Sequence, residues 1–170
     1  MRCAAWSTRS IGCVLKYDEG VAKQIRAFED KTDHLEDVLG TYLVKLTSRQ
    51  LGEEDSIKAT EYMKLIGDYE RIADHAVNVL ESAEEMQQKK IVFSESASRE
   101  YQTISSAVME ILNLSYQAFS NADFTAARKT EPLEQVIDAL KEELRTRHIL
   151  RLDPIPIHPF ATERLSFAQV

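Results

Sequence analysis

The sequence predicts an all-α fold, an antiparallel bundle of long helices. Two observations carry this. Glycine (5) and proline (4) are scarce in 170 residues, so few points of the chain are made to break a helix. Apolar residues return every three or four positions along most of its length, the spacing of one helical face. The balance of 44% hydrophobic and 29% charged residues is that of an ordinary soluble domain. No stretch reaches the ~20 apolar residues that a membrane span needs.

Taken in order, Met1 to Lys16 reads as an atypical N-terminal segment (1–16). It lacks the continuous apolar run of a secretory signal. Its arginines and serines without acids make a mitochondrial-type leader the less favoured alternative. The helical domain proper spans 17–152, in halves of about 17–90 and 91–152. The first helix runs from about Asp18 to Leu46, with Val21, Ile25, Phe28, Leu35, Leu39, Tyr42, Leu43 and Leu46 on one stripe. A break follows around Gly52, and Glu54 or Asp55 opens the second helix. That helix carries Tyr62, Leu65, Ile66, Tyr69, Ile72, Ala73, Ala76, Leu80 and Ala83, and fades in the polar run Glu84 to Lys90.

After the connector Ile91 to Ser94, Ser94 or Ser96 caps a third helix that ends near Asn121. Asp123 caps a fourth, which runs to about Leu152. Proline inside a helix costs about 3 kcal/mol, so Pro132 predicts a kink or a fresh start near Glu131. Residues 153–170 hold three of the four prolines and are expected to be irregular.

A net charge of −7 argues against a nucleic-acid backbone as partner. It suits cations, or basic patches on another protein. The two cysteines, Cys3 and Cys13, form no CxxC pair and no disulfide framework, so a reducing compartment is expected. A weak internal repeat appears at a spacing of 105 residues. Asp18, Ala22, Glu29, Asp33, Leu35 and Leu39 align with Asp123, Ala127, Glu134, Asp138, Leu140 and Leu144.

Three acidic pairs have the form Glu-x-x-x-Asp: Glu29/Asp33, Glu70/Asp74 and Glu134/Asp138. Four residues apart, both carboxylates share one helical face, one turn apart. Their repulsion costs an isolated helix roughly 0.2–0.5 kcal/mol, so solvent, a base or a cation must offset it. Each pair sits at the edge of its own apolar stripe, rotated in the same sense. Two facing pairs would surround one point with four carboxylates, a donor set for hard or borderline cations such as Mg, Ca, Mn or iron. The plain alternative is three solvated faces. Asp68, His75 and Asn78 are secondary candidates beside the second pair. No Ser/His/Asp set, Cys/His set or Gly-rich phosphate loop is present, so no catalytic residue is expected.

The segment IGDYERIADHAVNVLESAEEM resembles the hallmark DLERIGDHAxNI of the PhoU family, the phosphate-uptake regulators. The matching residues are Asp68, Glu70, Arg71, Ile72, Asp74, His75, Ala76 and Asn78. LEDVLGTYLVKLTSRQL and EPLEQVIDALKEELRTRHILRL are similar to the family too, most of all to the PhoU-like cytosolic domain of sodium/phosphate cotransporters. The resemblance covers roughly residues 17 to 152. It implies a PhoU-like pair of three-helix bundles. It implies metal ions, often iron, held by E/D-x-x-x-D motifs, with Glu29 and Asp33 facing Glu70 and Asp74. It implies control of phosphate uptake rather than catalysis.

The chain departs from the family at both ends, and reads as truncated there with outer helices missing. The family has a helix ahead of Asp18, and after Leu152 a second ERIxDH-like helix where DPIPIHPFATERLSFAQV stands here. Glu134 and Asp138 are thus left without an opposing pair. With no transport domain in this sequence, it is not expected itself to carry phosphate.

The expected function is therefore a PhoU-like, metal-binding regulatory module of phosphate transport. Its expected place is the cytoplasm, with the inner membrane face a narrower alternative. Its expected partners are a phosphate transporter or phosphate-signalling protein and a second copy of itself, without nucleic acid and without direct membrane insertion. The alternative is a structural helical module, for dimerisation or docking, with no metal chemistry. A di-metal carboxylate enzyme ranks last, because the chain has His34 and His148 but no Glu-x-x-His motif.

Overall fold

The computed structural model describes residues 2–49 and 51–152. It contains five α-helices: α1 (Arg2–Leu15), α2 (Glu19–Thr47), α3 (Glu53–Gln88), α4 (Glu95–Ser120) and α5 (Phe124–Leu152). No strand occurs among the described residues. None of these helices is long and apolar enough to cross a membrane. The expected irregular tail, 153–170, lies outside the described residues.

The boundaries follow from local chemistry. Asp18 caps α2 by accepting from the Val21 amide at 2.9 Å. Of the two serines considered for α4, Ser94 is the cap; it accepts from the Ala97 amide at 3.2 Å, while Ser96 sits beside its hydroxyl. Asp123 accepts from the amides of Thr125 (2.8 Å) and Ala126 (3.1 Å) and opens α5. Glu53, Glu54 and Asp55 place negative charge on the exposed amides at the start of α3. Lys90 (φ 53°) and Ala122 (φ 50°) adopt the left-handed conformation that turns the chain after α3 and α4.

Two expectations need correction and one boundary is sharpened. A helix was expected to be missing ahead of Asp18, but α1 (Arg2–Leu15) stands there and packs against α3, α2 and α4. Its buried side is small and partly polar: Ser7, Ser10 and Cys13, with the Ser10 hydroxyl donating to the Ser7 carbonyl at 2.9 Å. The second predicted helix ends at Gln88, inside the polar run Glu84 to Lys90 where it was expected to fade. Half-buried Met86 and the Lys89–Glu85 pair one turn apart carry α3 to Gln88. No new helix begins at Glu131, since α5 runs through Pro132 as one element. The proline removes the donor to the Arg128 carbonyl, and Arg128 is exposed to water.

Helices α1, α2 and α3 make a three-helix unit. Its core is Cys13, Ala22, Ile25, Ala76, Leu80 and Ala83, with Ile25 and Leu80 at 0% exposure. The alanines let the helices approach closely, and Ile25 and Leu80 fill the space between them. Trp6 of α1 stacks on Phe28 of α2 with centroids 5.3 Å apart. The Arg9 guanidinium lies 4.6 Å from the Trp6 ring centroid and donates to Gln24 at 2.8 Å. With 14 residues against 29 in α2, α1 covers only part of the α2–α3 pair. Leu35, Leu39 and Tyr42, expected in the core stripe, are accordingly exposed.

Helices α4 and α5 form an antiparallel hairpin that joins the rest through α1. The Tyr101 hydroxyl donates to the Ile11 carbonyl at 3.1 Å. At the far end, Arg151 donates to both carboxylate oxygens of Glu100, at 2.9 and 2.7 Å.

Candidate functional site

The antiparallel pairing of α2 with α3 creates a polar seam beside the core. Arg26, Glu29, Asp33, Glu36 and Gly40 recur at three- and four-residue steps along α2, one flank of that helix. Glu70, Asp74, Glu81 and Glu84, at steps of four, seven and three, share one flank of α3. The lower end of the seam is fixed by ion pairing. Arg26 contacts Glu84 at 2.6 Å and Glu81 at 3.8 Å, and the Tyr17 hydroxyl donates to Glu84 at 3.4 Å. Near the upper part, a Cβ placed on Gly40 would lie 3.9 Å from the Ile66 Cδ1 atom, so the backbone of α2 comes close to α3.

Between these ends the acids face one another. Glu29 and Glu70 are half-buried, while Asp33 and Asp74 are exposed. Partial burial raises the Glu29 carboxyl above its ordinary range, and Asp30, Asp74 and Asp33 push it further; Arg26 opposes them. Partial burial also raises Glu70, helped by its hydrogen bond to Asp74 and by the charges of Asp74, Glu36 and Asp33. Each half-buried glutamate thus feels acids from both helices. The seam concentrates negative charge, and Arg26, the base that acts on Glu29, also pairs with Glu81 and Glu84.

The structure therefore brings Glu29, Asp33, Glu70 and Asp74 into one electrostatic neighbourhood and adds Glu36 to it. Glu36 lacks a Glu-x-x-x-Asp partner on its own helix. Its signal was its position, seven residues beyond Glu29 and three beyond Asp33, which keeps it on the same flank. Among the described residues, no three His, Cys, Asp or Glu side chains converge as ligands for a metal ion. The acids are neighbours rather than a closed coordination shell. As chemistry, half-buried carboxylates crowded by acids of both helices suit a hard cation.

The remaining candidates lie apart. Asp68 and His75 are exposed on α3, rotated away from the seam, while Asn78, four residues after Asp74 and three before Glu81, is exposed at its edge. Glu134 and Asp138 are exposed on α5, whose helix partner is α4. Lys141 donates to Asp138 at 2.7 Å, and the charge and hydrogen bond of Asp138 raise the lysine above its ordinary value. That pair already carries a cation from its own helix.

A family model described as PhoU domain matches residues 7–83, which spans most of α1, all of α2 and α3 as far as Ala83. The match contains the whole polar seam apart from Glu84. No curated protein and no solved structure matches the chain.

Proposed function

Because residues 7–83 match the PhoU domain model, we propose that the chain is a PhoU-like regulatory module of phosphate transport that holds metal ions on the α2–α3 seam. The family is a regulatory one rather than a family of enzymes. The observation that carries the metal reading is the electrostatic state of Glu29 and Glu70. Both are half-buried, both are raised, and the acids that raise them come from the facing helix as well as their own.

A cation there would offset repulsion that the fold otherwise bears. Glu29, Asp33, Glu70 and Asp74 would supply its oxygen ligands, with Glu36 at the edge of the set. Bound metal would supply positive charge and Lewis acidity facing solvent, a surface on which an anion such as phosphate could be sensed. The chain's own part is to hold the carboxylates on two rigid helices, with Arg26 shared between Glu29 and the acids Glu81 and Glu84.

Elemental analysis of the purified full chain tests this, with the double variant Glu70→Ala/Asp74→Ala as comparison. After metal-replete growth, the wild type is expected to retain iron, manganese or another divalent ion that the variant has lost. Equal metal content in the two proteins would remove the metal from the proposal. The structural reading, a helical docking module without metal, is favoured by one observation. Val38, Tyr42, Ile57 and Tyr62 lie 50–61% exposed beyond the reach of α1. Equal metal content would leave that reading standing.

A further inference from the structure

The end of α1, the end of α3 and the connector that leads into α4 border a cavity of about 360 Å³. That is the small end of the range for small-molecule sites. Its walls are held in place. Phe93 packs against Tyr101 with centroids 5.8 Å apart, and the Tyr101 hydroxyl donates to the Ile11 carbonyl at 3.1 Å. Tyr17 is tied to Glu84, and the Ile91 amide donates to the Met86 carbonyl at 2.9 Å. The cavity is therefore shaped before any ligand arrives.

It also lies away from α5. Ser98 lines it, whereas Glu100 pairs with Arg151 near the end of α5. Two residues apart on α4, they point about 200° apart around that helix.

The lining is exceptional for this chain. The net charge is −7, yet the residues around the cavity include no acid and one base, Lys16. The acids next to its walls are engaged elsewhere. Asp18 caps α2, Glu84 pairs with Arg26, and Glu85 pairs with Lys89. Among the described residues, the side chains of Lys16, Gln87 and Ser98 make no hydrogen bond or ion pair. An ammonium, an amide and a hydroxyl, all able to donate, thus border one cavity without partners. The rest of the lining is largely apolar, with Met86 and Phe93 half-buried. Ile91 and Val92 line it at 50% and 88% exposure, apolar surface that a ligand would cover.

We propose that this cavity binds a small amphipathic carboxylate. The carboxylate lies at Lys16, and Gln87 and Ser98 donate to its oxygens in charge-assisted hydrogen bonds. Lysine supplies a point charge without a fixed fork, so the amide and the hydroxyl set the orientation. The apolar part of the ligand lies against Met86, Ile91 and Phe93. An inorganic anion would leave those walls bare, and a neutral molecule would leave the lysine without a counter-charge. The site needs no metal in the α2–α3 seam.

Methionine-methyl NMR on the full chain tests it, with sodium hexanoate as the probe and hexanamide and inorganic phosphate as comparisons. Met86 lines the cavity, while Met63 lies elsewhere on α3. A Met86→Leu variant assigns the signal. Hexanoate is expected to shift the Met86 signal saturably and to leave Met63 unchanged. Hexanamide and phosphate should each bind the wild type more weakly. Lys16 is exposed, and Lys16→Gln, checked for helical content by circular dichroism, should weaken hexanoate at least ~10-fold, the equivalent of about 1.4 kcal/mol. Hexanamide should not distinguish the variant from the wild type. A Met86 signal with no saturable shift overturns the proposal. So does hexanamide or phosphate binding as tightly as hexanoate, or a Lys16→Gln protein that holds hexanoate as well as the wild type does.

Discussion

Replacing Glu70 by glutamine should stabilise the metal-free chain while weakening its hold on metal. Glutamine keeps the size of the side chain and removes a charge that faces Asp74, Glu36 and Asp33. Each like-charge neighbour costs roughly 0.2–0.5 kcal/mol, so relief from three is worth about 1 kcal/mol. For a domain of this size that moves the melting temperature by about 2–4 °C. The pH dependence fixes the sign. The folded-state pKa of Glu70 is raised above its ordinary 4.5, so the folded protein favours the protonated form. The stability linked to this proton is fully present below the ordinary value and is lost as pH rises through the raised one. Wild type and Glu70→Gln should therefore melt together in acid and separate as pH rises, with the variant the more stable. Thermal unfolding followed by circular dichroism in chelator, over a pH series, reads this directly. A variant less stable than the wild type near neutral pH, or a gap that widens on acidification, would refute the crowded seam.

Three further outcomes follow from the packing. Leu80→Ala empties the centre of the α1–α3 core and should cost about 2–5 kcal/mol, measured as a lowered urea midpoint with unchanged slope. Ala122→Gly relieves a left-handed non-glycine residue and should gain about 1 kcal/mol, seen in the same titration. Arg151 holds Glu100 below its ordinary range, chiefly by hydrogen bonding, so this contribution is present above the ordinary carboxylate value and lost as pH falls through the lowered one. Arg151→Ala should thus be less stable than wild type near neutral pH and converge with it in acid; parallel curves down to low pH would count against the pair.

Much of the fold was legible because its helices carry strong local signals. Asp18, Ser94 and Asp123 are caps whose side chains bond the amides expected of them. The apolar stripes through Ile25 and Leu80 mark the two faces that meet. Helix α1 was missed because its buried side is Ser7, Ser10 and Cys13. These residues pack by close approach rather than by bulk, and leave little hydrophobic periodicity to read. The stripe of α2 was overread for a related reason. Periodicity shows that Leu35, Leu39 and Tyr42 share a face, but the length of α1 decides whether that face is covered.

The acidic seam was legible in part. Spacing alone put Glu29 with Asp33 and Glu70 with Asp74, and the family resemblance supplied their meeting across two helices. Glu36 escaped notice because its relation to Glu70 is set by the antiparallel register of α2 and α3, which no single-helix spacing reveals. By spacing alone the third pair matched the others, and only the family resemblance left it without an opposing pair. Lys141, three residues after Asp138, makes it different, because the base lies on the same helix and within 2.7 Å.

The central claim is that a cation belongs on the α2–α3 seam. Crystals of the full chain soaked in manganese or iron, with anomalous diffraction recorded, address it most directly. The account predicts anomalous density among Glu29, Asp33, Glu70 and Asp74, and none at Glu134 and Asp138, where Lys141 already supplies the charge. Crystals that show no density at the seam, or density at Glu134 and Asp138 instead, would contradict it.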